Sequence, residues 1–104
     1  ANEARYVFAY TITITNTGDI ASQVISRHWI ITDAEAHVEE VKGLGVVGHQ
    51  PLLSPGETFE YTSGTALATP NGSMRGNYFV VAEDGTRFEA AIPEFSLAVP
   101  RSLH

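Results

Sequence analysis

The chain has 104 residues, 43% hydrophobic and 17% charged, with a net charge of −6 at pH 7. That length suits one domain with a single modest core, and the composition excludes the charge-rich, apolar-poor character of a disordered segment. The basic residues Arg5, Arg27, Lys42, Arg75, Arg87 and Arg101 are scattered, so no cluster is available for nucleic-acid phosphates or for an anionic membrane surface. With no cysteine, disulfides, thiolate catalysis and Cys-based zinc sites are excluded together. A small domain without such staples points to the cytoplasm. No apolar run approaches the ~20 residues of a membrane span. No signal peptide is visible, and the start at Ala1 leaves a trimmed N-terminus open.

In chain order, Arg5–Thr15 comes first. Tyr6, Phe8, Tyr10, Ile12 and Ile14 alternate with small or polar neighbours, the period of two that marks a half-buried strand. Asn16-Thr17-Gly18-Asp19 supplies a turn. Gln23–Thr32, rich in β-branched residues and carrying Trp29, is the second strand. Asp33–Ala36 is short enough for a hairpin turn, and His37–Lys42 reads as a polar edge strand. Gly43–Pro55 reads as irregular. Thr58–Ser63 is a strand, followed by a loop through Pro70-Asn71-Gly72, with at most one helical turn at Ala66–Ala68. Gly76–Glu83 and Thr86–Ile92 flank Asp84-Gly85, a strong hairpin signal. Phe95 and Leu97 alternate in a last short strand.

Six or seven strands with turns at this spacing predict one all-β domain over 1–104, an antiparallel β-sandwich of the immunoglobulin/fibronectin type III kind with Trp29 buried and no disulfide.

Several motifs carry a family resemblance. They are Tyr6-Val7-Phe8-Ala9-Tyr10, Arg27-His28-Trp29, Gly43-Leu44-Gly45-Val46-Val47-Gly48 with Pro51, Pro55-Gly56-Glu57 with Tyr61 and Ser63, Met74 with Gly76 and Tyr78, and Ile92-Pro93 with Phe95. In order and spacing the set resembles the ApaG (CorD) family over nearly the whole chain. The resemblance implies a fibronectin type III-like sandwich and a bacterial cytoplasmic protein. It also implies association with cobalt and magnesium tolerance and with an operon for dinucleoside-polyphosphate hydrolysis. Similar domains occur in eukaryotic F-box proteins and in a polymerase-δ-interacting protein, where they act in protein–protein contact. By this resemblance, family members usually carry a further strand upstream of the one at Tyr6. Were it trimmed here, an open sheet edge would invite pairing, for example into a homodimer.

Gly43, Leu44, Gly45, Val46, Val47, Gly48 and His49 form the first candidate site. The glycines fit G-x-G-x-x-G, but a dinucleotide fold needs a helix next, and Pro51 and Pro55 forbid one. A loop needing positive φ explains the same glycines, while an anion nest would still allow pyrophosphate binding. Asp33, Glu35, His37 and Glu39 stand two apart. On one strand face they would offer ligands to a divalent cation, and a solvated edge explains them equally. His28, His49 and His104 have no paired ligand spacing, and His28 reads as a hydrogen-bonding residue at the core margin. No G-x-S-x-G or Ser, His and acid set stands out. Thr62, Ser63 and Thr65 read as a polar patch after a strand. The expectation is a non-enzymatic module without a cofactor that contacts a protein partner through the Gly43–Pro51 loop. The alternative is a sensor of a divalent cation or nucleotide, and an enzyme acting on polyphosphates is the third reading.

Overall fold

The structure, a computed structural model, describes residues 5–99. Seven strands follow in order: β1 Tyr6–Thr15, β2 Ser22–Asp33, β3 Val38–Leu44, β4 Leu52–Leu53, β5 Thr58–Leu67, β6 Asn71–Ala82 and β7 Arg87–Ala98. β1 and β5 form a two-stranded sheet, which packs on a larger sheet of order β3-β2-β6-β7 with β4 also joined to β2. Every pairing is antiparallel. This is the expected immunoglobulin/fibronectin type III-like sandwich.

The alternation in β1 sets its two faces. Tyr6, Phe8, Tyr10, Ile12 and Ile14 pack on the core, while Thr11 and Thr15 lie outside and hydrogen-bond Thr62 and Thr58 across the strand pair. From the larger sheet come Val24, Trp29, Ile31, Met74, Tyr78 and Val80. Trp29 is 2% exposed. Tyr10, Tyr78 and Phe95 meet it edge-on, with the Tyr10 and Phe95 centroids 5.5 and 5.9 Å away, an arrangement aromatic quadrupoles favour. Asp84-Gly85 makes the expected tight turn, with Gly85 at φ 89° and the Asp84 carboxylate accepting the Thr86 N–H at 2.9 Å.

Five local expectations are corrected. β6 begins at Asn71, not after a Pro70-Asn71-Gly72 loop. Gly72 permits this because a Cβ there would strike the Thr32 carbonyl of β2. β5 runs on through Ser63 and Thr65 to Leu67, so the hydroxyl patch lies within a strand and Ala66–Leu67 is extended. β3 extends to Leu44, and the stretch expected to be irregular contains β4. β7 continues to Ala98 across Pro93, because a shift in the β6–β7 register between Met74 and Gly76 absorbs the missing donor. His37 lies in the turn, since β3 starts at Val38.

Candidate functional site

The loop between β3 and β4 is built around a two-residue turn. The Val46 N–H donates to the His49 carbonyl at 2.7 Å, and the His49 N–H donates back at 3.0 Å. Val47 and Gly48 between them both have positive φ, 48° and 80°, which makes a type I′ turn. Glycine suits that geometry. A β-branched valine does not, and it stores about 1–3 kcal/mol of backbone strain. Val46 beside it is fully buried, whereas Val47 is 53% exposed.

The loop is pinned from beneath by β2. A bulge between Val24 and Ser26 releases Ile25 from its partner on β6, and the Ile25 carbonyl accepts the Gly45 N–H at 2.7 Å and Gln50 Nε2 at 3.0 Å. Val24 N–H donates to the Pro51 carbonyl at 3.0 Å, and Gln23 Nε2 to the Gln50 carbonyl at 3.0 Å. Arg27 Nη1 donates to the Leu44 and Gly45 carbonyls, both at 3.0 Å. The His49 ring meets Phe59 of β5 edge-on with centroids 5.9 Å apart. Bulges commonly re-aim side chains beside functional sites, and here the bulge supplies the anchoring carbonyl.

The three glycines have separate causes. Gly43 leaves room for the Arg27 guanidinium. Gly45 has φ 67°, and a Cβ on it would collide with the His49 carbonyl. Gly48 serves the turn. The N–H groups of Gly45, Val46 and His49 are engaged within the loop and its anchor, so those three do not form the nest that a pyrophosphate would need.

Register brings together what sequence spacing hides. Leu44 pairs with Ser26 and Leu52 with Gln23, and the bulge between them returns both to the outer face of the larger sheet. Leu44 is 75% and Leu52 61% exposed, and Val47 lies on the loop joining them. Half-buried Phe79 and Val81, opposite Ser26 and Gln23, continue the same face.

The four residues considered for a cation do not share a strand face. Asp33 ends β2, and its Oδ1 accepts the N–H of Glu35 at 2.8 Å and of His37 at 3.0 Å. Its Oδ2 meets His37 Nδ1 at 3.1 Å. Partial burial is the largest influence on this carboxyl and raises its pKa, but the bonds from His37 and Glu35 together outweigh it and hold the group below its ordinary range. The carboxylate is thus occupied in closing the turn. Glu39 lies beyond it on β3, opposite Ile31. Among the described residues no three His, Asp or Glu side chains gather as a metal-ligating set. His28 lies on the outer face of the larger sheet rather than at the core margin, with Nε2 2.8 Å from Glu40 Oε1. His104 lies outside the described residues.

One feature has no counterpart in the sequence pattern. A cleft of about 530 Å³ opens between β1 and β7, with Ile14, Val24, Leu53, Val80, Phe88 and Ala90 among its lining. The two-stranded sheet leaves this part of β7 uncovered, and Phe88 is 44% exposed. Two polar groups at its margin serve their own turns: Asn16 bonds Ile20, Leu53 and Gly18, and Asp84 bonds Thr86. Among the described residues no helix is long and apolar enough to cross a membrane.

Comparison with known proteins agrees with this fold. The family model for the ApaG domain (DUF525) matches residues 1–82. Protein ApaG of Ralstonia nicotianae is 70% identical over 103 residues, covering 99% of this chain and 83% of its own. Protein ApaG of Thiobacillus denitrificans is 71% identical over 100 residues, covering 96% and 79%. A crystal structure from Bordetella pertussis, described as an ApaA protein, superposes with a TM-score of 0.91 at 66% identity, covering 96% of this chain and 81% of that one. The chain belongs to the ApaG domain family.

Proposed function

We propose that this chain is a non-enzymatic contact module whose protein partner docks on the apolar surface formed by Leu44, Val47 and Leu52. The observation that carries the reading is Val47, a strained residue held exposed on a loop fastened from every side. Strain persists only where the surroundings over-determine it, and it concentrates at functional positions. Three large apolar side chains on one pre-organised edge offer an anchor that needs little ordering on binding.

Hydrogen-bonded pairing of the histidines favours contact over catalysis. The rings of His28 and His37 face the carboxylates of Glu40 and Asp33 rather than a hydroxyl nucleophile. A cysteine-free chain suits the reducing cytoplasm. In this reading the family's link to cobalt and magnesium tolerance runs through the partner.

The test is site-specific photo-crosslinking in cells, with the crosslinker at position 47 and, as control, at Thr13 on the far sheet. A discrete adduct at 47, absent at 13 and lost on Leu52→Asp with the melting temperature unchanged, supports the reading. Equal labelling at both positions, or none at 47, sinks it.

A further inference from the structure

The open edge of β3 is complementary to itself. Its pairing with β2 is unbroken from Ser26↔Leu44 to Thr32↔Val38. In an antiparallel ladder, residue pairs alternate between hydrogen-bonded and not. The Gly45 N–H donates to Ile25 and the Asp33 N–H to His37. Counting by two from either end assigns Glu39, Val41 and Gly43 to the pairs bonded to β2. Val38, Glu40, Lys42 and Leu44 therefore turn their N–H and C=O groups away from β2, where no strand pairs with them among the described residues. The side chains of these four share the outer face, and Val38 and Leu44 are 63% and 75% exposed. Read along the strand they run apolar, acidic, basic, apolar.

We infer that a second copy of this chain pairs here, β3 against β3 about a two-fold axis through Val41. In that register Val38 faces Leu44 of the other copy and Glu40 faces Lys42, each contact occurring twice, as a closed two-fold interface requires. The pairing uses the backbone groups of Val38, Glu40 and Lys42 and the Leu44 N–H, while the Leu44 carbonyl, which already accepts Arg27 Nη1, offers its second lone pair. Opposite charges at facing positions stabilise a strand pair, and like charges destabilise it.

The inner face supplies a second complementarity, carried by different residues. In the same register Glu39 faces Gly43 of the other copy. Over Gly43 lies the Arg27 guanidinium, with Nη1 and Nη2 2.8 Å from where a Cβ would stand. Glu39 thus approaches a cation that the missing side chain leaves accessible, while Val41 meets Val41 on the axis. The net charge of −6 on each copy opposes encounter at long range, but screening limits that repulsion to about 8 Å at physiological salt, whereas the paired charges act in contact. The edge of β7 lacks this regularity: it carries Pro93 and a register shift, devices that discourage pairing.

Leu44 belongs to both this interface and the partner-docking surface, but Glu40 and Lys42 belong to this one alone, so charge exchange at 40 and 42 tests the association separately from the docking on Val47. Sedimentation of the intact chain up to about 1 mM, where even a millimolar complex is half-formed, must show a dimer. Glu40→Lys and Lys42→Glu, each folded by circular dichroism, must each sediment as a monomer where the parent is dimeric, because each places like charges face to face. Mixing the two variants must restore a heterodimer, and the double exchange must restore a homodimer. Glu39→Arg, set against Arg27, must weaken association as well. A parent that stays monomeric at the highest concentration, single variants that dimerise like the parent, or a mixture that stays monomeric overturns the inference.

Discussion

The Arg27 guanidinium rests on the bare backbone of Gly43, its cross-strand neighbour, and from there Nη1 reaches the Leu44 and Gly45 carbonyls at 3.0 Å. The glycine makes room and the arginine locks the loop. Arg27→Ala removes two charge-assisted hydrogen bonds from a half-buried site and should lower the unfolding free energy by about 1–3 kcal/mol. Arg27→Lys should recover less than half of that, because an ammonium lacks the planar fork of a guanidinium. Gly43→Ala should cost about 1 kcal/mol by displacing the guanidinium. Urea titrations of the three variants decide the order, and a neutral Arg27→Ala would show that the loop holds without its lock.

Val47 should behave in the opposite sense. At φ 48° its β-branched side chain costs backbone strain, and asparagine is the residue this turn position favours. Val47→Asn should raise the unfolding free energy by about 1 kcal/mol, the strain released, and should weaken partner capture by a crosslinker moved to position 44. A variant that is more stable yet binds its partner less well is the mark of a site kept under strain for function. If Val47→Asn is no more stable than the parent, the strain argument fails.

The Tyr61 and Tyr78 hydroxyls hydrogen-bond each other at 2.5 Å inside the core. Burial, the largest influence on both, pushes each phenol above its ordinary pKa, although the bond from Tyr78 lowers that of Tyr61. Either single change to Phe strands the remaining hydroxyl and should cost about 1–3 kcal/mol, while the double change should be closer to neutral than the sum. A double-mutant cycle from chemical denaturation measures the coupling. Additive losses would mean that each hydroxyl has another partner.

Periodicity made the core legible. The alternation from Tyr6 to Ile14 located β1 to within a residue, and the Asp84-Gly85 turn located the β6–β7 hairpin, because both signals are local. Features that depend on a second strand were not legible. Gly72 read as a loop residue because its reason, the approach of the Thr32 carbonyl, lies on a distant strand. Pro93 read as the end of a strand because the bulge that accommodates it is a property of the pair β6–β7. The Gly43–His49 stretch stands out in the sequence as a candidate site, but its anchors Ile25 and Arg27 and its neighbour Leu52 emerge only through the register of β2. The cleft beside Phe88 follows from the unequal widths of the two sheets, which no spacing rule encodes.

Asp33 yields a dependence on pH with a definite sign. Its carboxyl lies below its ordinary value of 3.8 in the folded chain, so folding favours the ionised form. A group shifted in that direction contributes stability that is present above its unfolded pKa and is lost as pH falls through the folded one. The turn between β2 and β3 should therefore weaken only below about pH 4, as protonation removes the acceptor for the Glu35 and His37 N–H groups. Asp33→Asn keeps an acceptor oxygen at the turn but cannot titrate, so the acid limb of its stability curve should be shallower than that of the parent. Thermal melting of both proteins from pH 7 to pH 3 makes the comparison. Parallel curves would assign the acid sensitivity to other carboxylates, with Asp84 next in line because the Thr86 N–H holds it low in the same way.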